Sequence, residues 1–173
     1  DEVELIVNGR SMGRRMNDRT DSKVRNRILW DSIPYKPGYV EAVVYRSGDS
    51  KPVARHRIET AGEAKSLKAV PDNGDWKADG SDLQHIRVEA VDSKGRRVHG
   101  ADAQVKFTVD GPAEIVGVIN GDITSEELTT GDTRRLYNGT ATVILRSTFV
   151  PGKVTLTAAS PGLKPSKTLL TTK

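Results

Sequence analysis

Three segments decide the fold: Leu83-Gln84-His85-Ile86-Arg87-Val88-Glu89-Ala90-Val91-Asp92, then Gln104-Val105-Lys106-Phe107-Thr108-Val109-Asp110, then Ala113-Glu114-Ile115-Val116-Gly117-Val118-Ile119-Asn120. In the middle segment Val105, Phe107 and Val109 alternate with Lys106, Thr108 and Asp110. A period of two marks a half-buried β-strand. In the first segment Ile86, Val88 and Ala90 alternate in the same way with Arg87 and Glu89. Asp110-Gly111-Pro112 interrupts the run, because glycine reaches positive φ while proline fixes φ and removes a ladder donor. Asn120-Gly121-Asp122 ends it. Successive strands between turn residues, with no active-site pattern inside them, predict a β-sandwich.

Upstream, Val3, Leu5 and Val7 alternate before Asn8-Gly9, a type I′ hairpin signal. Arg10 to Gly13 begins the return strand, and Arg14 to Arg27 reads as an exposed connection. Ile28-Leu29-Trp30 is a short apolar run, and Pro34, Pro37 and Gly38 enclose Tyr35 in a turn-rich segment. Tyr39 to Tyr45 and Pro52 to Thr60 are further strands around Ser47-Gly48-Asp49. About five strands are fewer than the seven of an immunoglobulin-like sandwich. Residues 1–61 are therefore expected to be a partial module, truncated at its N-terminus, and a chain opening inside a strand is expected to be a fragment of something longer.

Ala61-Gly62-Glu63-Ala64 is the candidate linker, and residues 62–173 are expected to form a second immunoglobulin-like sandwich of about seven or eight strands. Asn138-Gly139 predicts another hairpin turn. Val143 and Leu145, then Val154 and Leu156, mark strand faces, and Leu163 to Thr171 is expected as a last edge strand. Thr124 followed by Glu127 has the spacing that caps one helical turn. No segment shows helical apolar spacing over its length, so the fold class is all-β.

The 173 residues carry 27 basic and 23 acidic side chains. Seven basic residues cluster between Arg10 and Arg27, without the interleaved aromatics of a nucleic-acid surface. No nucleic-acid partner is expected. No apolar run approaches the roughly 20 residues a membrane helix needs, and no membrane partner is expected. The absence of cysteine removes disulfides, thiol chemistry and sulfur ligands, and is compatible with a periplasmic or extracellular protein.

His56, His85 and His99 lack metal-site spacing, so no metal and no cofactor are expected. Asp72-Asn73-Gly74-Asp75, Asp79-Gly80-Ser81-Asp82 and Asn120-Gly121-Asp122 fit turns better than calcium loops, since none has the closing glutamate of an EF-hand. Glu126 and Glu127 are adjacent carboxylates, but no scaffold singles them out as an acid–base pair and they read as solvated loop residues. No serine elbow or phosphate loop is present. Trp30, Tyr35 and Trp76 are the rings that could stack on the apolar face of a sugar. Trp30 is expected in the core and Tyr35 in a corner-packing role. Trp76 lies in a polar loop, and with Tyr35 it is the candidate carbohydrate-binding pair.

Three passages resemble the C-terminal region of bacterial glycoside hydrolase family 2 enzymes of the β-galactosidase type common in Bacteroidetes. They are Val3 through Gly13; Trp30 with Ile33 through Gly38, then Val53-Ala54 through Glu59 to Gly62; and Lys77 through Leu83 with Val88–Asp92, Phe107–Pro112 and Gly117–Asp122. Ile123 departs from the proline the family often has there, so no binding role is carried onto the following loop. The resemblance implies two consecutive immunoglobulin-like modules lying after a catalytic barrel that holds the family's glutamates. No catalytic residue maps onto this chain, which is expected to be inactive alone, with the upstream catalytic domain of the same polypeptide as its partner. A glycan and a second copy are further candidate partners. A carbohydrate-binding module and an adhesin-type surface repeat are the alternative readings.

Overall fold

The structure, a computed structural model, describes every residue except Asn73, and so the Asp72–Asp75 turn lies partly outside the described residues. Two compact units are present, Asp1–Thr60 and Ala61–Lys173.

The first unit is a single four-stranded antiparallel sheet. Its strands are β1 (Glu2–Val7), β2 (Arg10–Met16), β3 (Tyr39–Tyr45) and β4 (Pro52–Glu59), ordered β2-β1-β3-β4. Asn8 and Gly9 form the expected two-residue turn, both with positive φ, and Val7 pairs with Arg10 across it. Asn8 reaches further: its Oδ1 accepts from the Tyr39 N–H at 2.7 Å and its Nδ2 donates to the Pro37 carbonyl at 3.1 Å. Gly38 packs so closely on this side chain that a Cβ there would overlap it. The short apolar run Ile28-Leu29-Trp30 forms no strand, and Trp30, expected in the core, is only half-buried. That run has no partner strand, and Trp30 donates its indole N–H to the Gly13 carbonyl instead.

Among the described residues the second unit holds eight strands: β5 (Ser66–Pro71), β6 (Leu83–Val91), β7 (Gln104–Asp110), β8 (Ala113–Ile119), β9 (Thr133–Arg135), β10 (Thr140–Ser147), β11 (Gly152–Ser160) and β12 (Leu163–Thr172). One layer runs β8-β10-β6-β5 and the other β12-β11-β7-β9. A single parallel pair, Lys164 with Ser66, joins them along one side, so β12 is not a free edge at that point. Val105 and Phe107 from one layer meet Ile86, Val88, Val143 and Leu145 from the other in a dry core. The three segments that open the argument are strands at almost the expected bounds, but none pairs with another: β7 pairs with β11 and β9, while β8 pairs with β10. The turn at Gly111 is therefore a crossing between layers. Gly111 has a φ of 107°, and a Cβ there would collide with the Lys153 carbonyl oxygen.

Strand β8 loses its alternation at a bulge. Ile144 pairs with Gly117 and Leu145 with Ile115, which leaves Val116 unpaired and turned outward. The helical turn expected at Thr124 is absent. Asp122 takes the capping role, its Oδ1 accepting from the Thr124 N–H at 2.9 Å and from the Thr124 hydroxyl at 2.7 Å. An aspartate two residues ahead bonds the backbone without requiring a helix.

Candidate functional site

The carboxylates that sequence left open are engaged locally. Asp79 accepts from the N–H groups of Ser81 and Asp82 and from the Ser81 hydroxyl, which holds it below its ordinary pKa. Asp122 is lowered in the same way, first by the Thr124 hydroxyl. Glu127 is not a solvated loop residue: it is half-buried, accepts from the Arg135 N–H and lies 3.7 Å from Arg134 Nε. Among the described residues no three of His, Asp or Glu gather where a metal could bind.

Arg134 is a buried charge that sequence reasoning missed. It is 4% exposed, donates from Nη1 to the Glu127 carbonyl at 2.9 Å and from Nη2 to Asn120 Oδ1 at 3.0 Å. One planar fork thus ties Asn120, at the start of the loop between β8 and β9, to Glu127 within it, on either side of the exposed Ile123. Nothing in the spacing of Arg134 separates it from its solvated neighbour Arg135, which is why sequence gave no signal.

The structure separates the two candidate sugar-stacking rings. Trp76 is 3% exposed, and its indole N–H donates to the Asp82 carbonyl at 3.0 Å. The backbone at Trp76 and Ala78 also bonds Lys173, which carries the loop over the end of the core. A ring with no free face cannot stack on a sugar, so the expectation for Trp76 is corrected: its loop is polar at the backbone but closes the sandwich with the indole. Tyr35 is 78% exposed rather than corner-packed, with only its hydroxyl anchored, 3.3 Å from Thr60 Oγ1. The two residues belong to different units.

The first unit's sheet has two unlike faces. On one, Glu2, Glu4 and Glu41 are interleaved with Arg14 and Arg55 in three ion pairs of 3.6 to 3.8 Å between strands, and Arg57 pairs with Glu59 along β4 at 3.1 Å. Guanidinium groups cover the aromatic rings there: Arg14 lies 3.6 Å from the centre of the Tyr45 ring and Arg57 3.4 Å from that of Tyr39. Hydrogen bonds from Ser11 and then Tyr45, with Arg14 and Arg55 near, lower the pKa of Glu4. Val43 is fully buried on this face beneath long charged side chains. On the other face the register aligns Val3, Leu5 and Val7 with Val44, Ala42 and Val40, and these with Ala54, His56 and Ile58. Only Val7 is buried among them, and Ile58 is 62% exposed.

A model described as glycoside hydrolase family 2 C-terminal domain 5 matches residues 67–168, and one described as a domain of unknown function matches residues 1–51. Beta-galactosidase BoGH2A of Bacteroides ovatus is 38% identical over 95% of this chain and 18% of its own length. A beta-glucuronidase of Formosa agariphila is 32% identical over 94% of this chain and 16% of its own. Among solved structures, a glycosyl hydrolase family 2 member from Bacteroides cellulosilyticus superposes with a TM-score of 0.89 at 32% identity, over 99% of this chain and 21% of that one. The chain thus spans about a fifth of the length of the relatives it matches. It is a non-catalytic region of that kind of protein, and it belongs to the glycoside hydrolase family 2 C-terminal domain family.

Proposed function

We propose that this chain is a structural support in a longer β-galactosidase-type glycosidase, packing on the upstream catalytic domain of the same polypeptide or joining two copies of it. One observation carries the reading. Relatives named for different sugars, a beta-galactosidase and a beta-glucuronidase, keep this region at 38% and 32% identity. A part common to enzymes of different specificity fits support better than recognition of one sugar. Carboxylates committed to turns and ion pairs, such as Asp79, Asp122 and Glu41, fit the same reading. A periplasmic or extracellular location belongs to it as well, and cell fractionation of the parent protein tests that part.

The direct test compares the parent polypeptide with a form lacking residues 62–173, using an aryl β-galactoside. The support reading expects a lower Tm or a changed oligomeric state with KM unchanged, and no hydrolysis by this chain alone. A raised KM at unchanged Tm would overturn it in favour of glycan binding. The exposed Tyr35 ring gives that second reading its one foothold, so calorimetric titration with galactosides should include Tyr35→Ala.

A further inference from the structure

Arg14, Arg55 and Arg57, on the strands of the first unit, pair with glutamates. Four cations of the loop between β2 and β3, Arg19, Lys23, Arg25 and Arg27, have no carboxylate partner among the described residues. The two aspartates of the same stretch are turned onto its backbone. Asp18 Oδ1 accepts from the Thr20 N–H at 2.9 Å and the Thr20 hydroxyl at 2.6 Å, and Asp21 Oδ1 accepts from the Lys23 N–H at 2.9 Å. Asn17 Nδ2 closes the loop by donating to the carbonyls of Val24 and Arg27, both at 2.9 Å. The cations therefore sit on a loop with a defined shape, and repulsion among them is left uncompensated.

An open cavity of about 210 Å³ lies between this loop and the end of β2, and three chemistries line it. Met16 and Leu29 give it an apolar side that is 60% and 46% exposed. Arg15 and Arg27 give it guanidiniums. Arg15 is already held by the Leu29 carbonyl and Asp31, but Arg27 donates only Nε, to the Lys23 carbonyl at 3.0 Å, and keeps its Nη groups for a ligand. Asp18 supplies a carboxylate whose Oδ2 takes no bond among the described residues. We propose that this cavity binds a saccharide that carries a carboxylate, one hexuronic acid unit of an acidic glycan. Arg27 would fork onto the carboxylate, Asp18 Oδ2 would accept from a ring hydroxyl, and the C–H face of the ring would lie on Met16 and Leu29. The combination selects against other anions. An acidic peptide brings no hydroxyl donor for Asp18, and a phosphate chain is repelled by it. A nucleic acid would need an open ring to stack on, whereas Trp30 is half-buried and bonded to the Gly13 carbonyl. The volume falls below the roughly 300–1,000 Å³ of drug-sized sites, which restricts the occupant to about one ring. Arg19, Lys23 and Arg25 on the same loop would draw in an acidic chain from a distance. This ligand differs from the neutral galactosides set against Tyr35. The site also lies outside residues 62–173, so deleting them tests the support reading separately.

The test is calorimetric titration of this chain with trigalacturonic acid, with neutral galactotriose and with triglutamate. Trigalacturonic acid is expected to bind saturably at one site and the other two at least about tenfold more weakly, since each lacks a charge-assisted partner. Arg27→Gln should weaken the uronate by at least about tenfold on the same ground. Lys51→Gln, which removes the same charge from the turn between β3 and β4, should leave it unchanged. Asp18→Asn keeps an acceptor for Thr20 and should narrow the gap between the uronate and triglutamate, because the carboxylate that disfavours the peptide is gone. Raising the salt from about 0.01 to about 0.15 M, which shortens the screening length from about 30 to about 8 Å, should weaken uronate binding. Circular dichroism of each variant confirms that the fold is kept. Absence of uronate binding would overturn the proposal, as would a loss no greater in Arg27→Gln than in Lys51→Gln, which would mark net charge as the attraction. Triglutamate binding as tightly as the uronate would also overturn it, and would make the partner an acidic peptide.

Discussion

Both carboxylate oxygens of Asp92 are occupied. Oδ2 accepts from the Gly62 N–H at 2.9 Å and from Arg96 Nε at 2.8 Å, and Oδ1 accepts from the N–H groups of Lys94 and Arg96. The Gly62 bond and then the Arg96 guanidinium hold its pKa well below the ordinary 3.8. A depressed folded-state pKa adds stability that is fully present above the ordinary value and is lost as pH falls from there toward the folded value. Asp92→Asn should therefore lower the Tm of the second unit at pH 7, with the gap to the parent chain narrowing below pH 3.8. Thermal melts across pH check this, and a gap independent of pH would contradict it. Gly111→Ala is a second expectation at this scale. The new methyl meets the Lys153 carbonyl in a left-handed backbone, so urea unfolding should show a loss of about 1–3 kcal/mol. Asn8-Gly9 and Gly111 were legible because turn chemistry is written in adjacent residues. The role of Asp92 was not, because Gly62 is 30 positions away.

Strands were legible wherever one face is wet and the other dry, as along β6, β7, β10 and β11, whose alternation survives intact. Pairing was not, since a period of two names a face and says nothing of a neighbour. The bulge at Val116 also erased the alternation of β8 locally. Trp76 was misread for a related reason: a loop can be polar along its length and still aim one ring inward when its backbone is tied to Lys173. The loop between β8 and β9 shows how one residue sets the order of an element. Arg134→Met keeps much of the volume but removes the donors to Asn120 Oδ1 and the Glu127 carbonyl. Losing buried charge-assisted hydrogen bonds costs about 2–4 kcal/mol locally. Limited proteolysis should then cut the variant between Asn120 and Asp132 while the parent chain resists. Identical cleavage patterns would show that the turn at Asp122 orders the loop without the arginine.

Across the whole molecule the two units differ in what holds them. The second buries fifteen hydrophobic residues in one cluster. Among the described residues, the first buries only Val7, Val43 and Tyr45, two of them under a layer of charged side chains. Hydrophobic burial is the dominant favourable term in folding, so the unit with the smaller core opens at lower free energy. Its ion pairs do not compensate, because partly exposed pairs contribute about 0–1 kcal/mol each and are screened by salt. Amides of β1 and β3 should accordingly exchange with deuterium on the order of 100-fold faster than those of β6, β10 and β11. The hydrogen bonds are of the same antiparallel kind in both units, so such a gap would report the layers above the strands rather than the ladders within them. Raising the salt concentration should widen it, since screening weakens only the charged face. Uniform protection across both units would mean that the charged face stabilises the first sheet as fully as a dry core does the second.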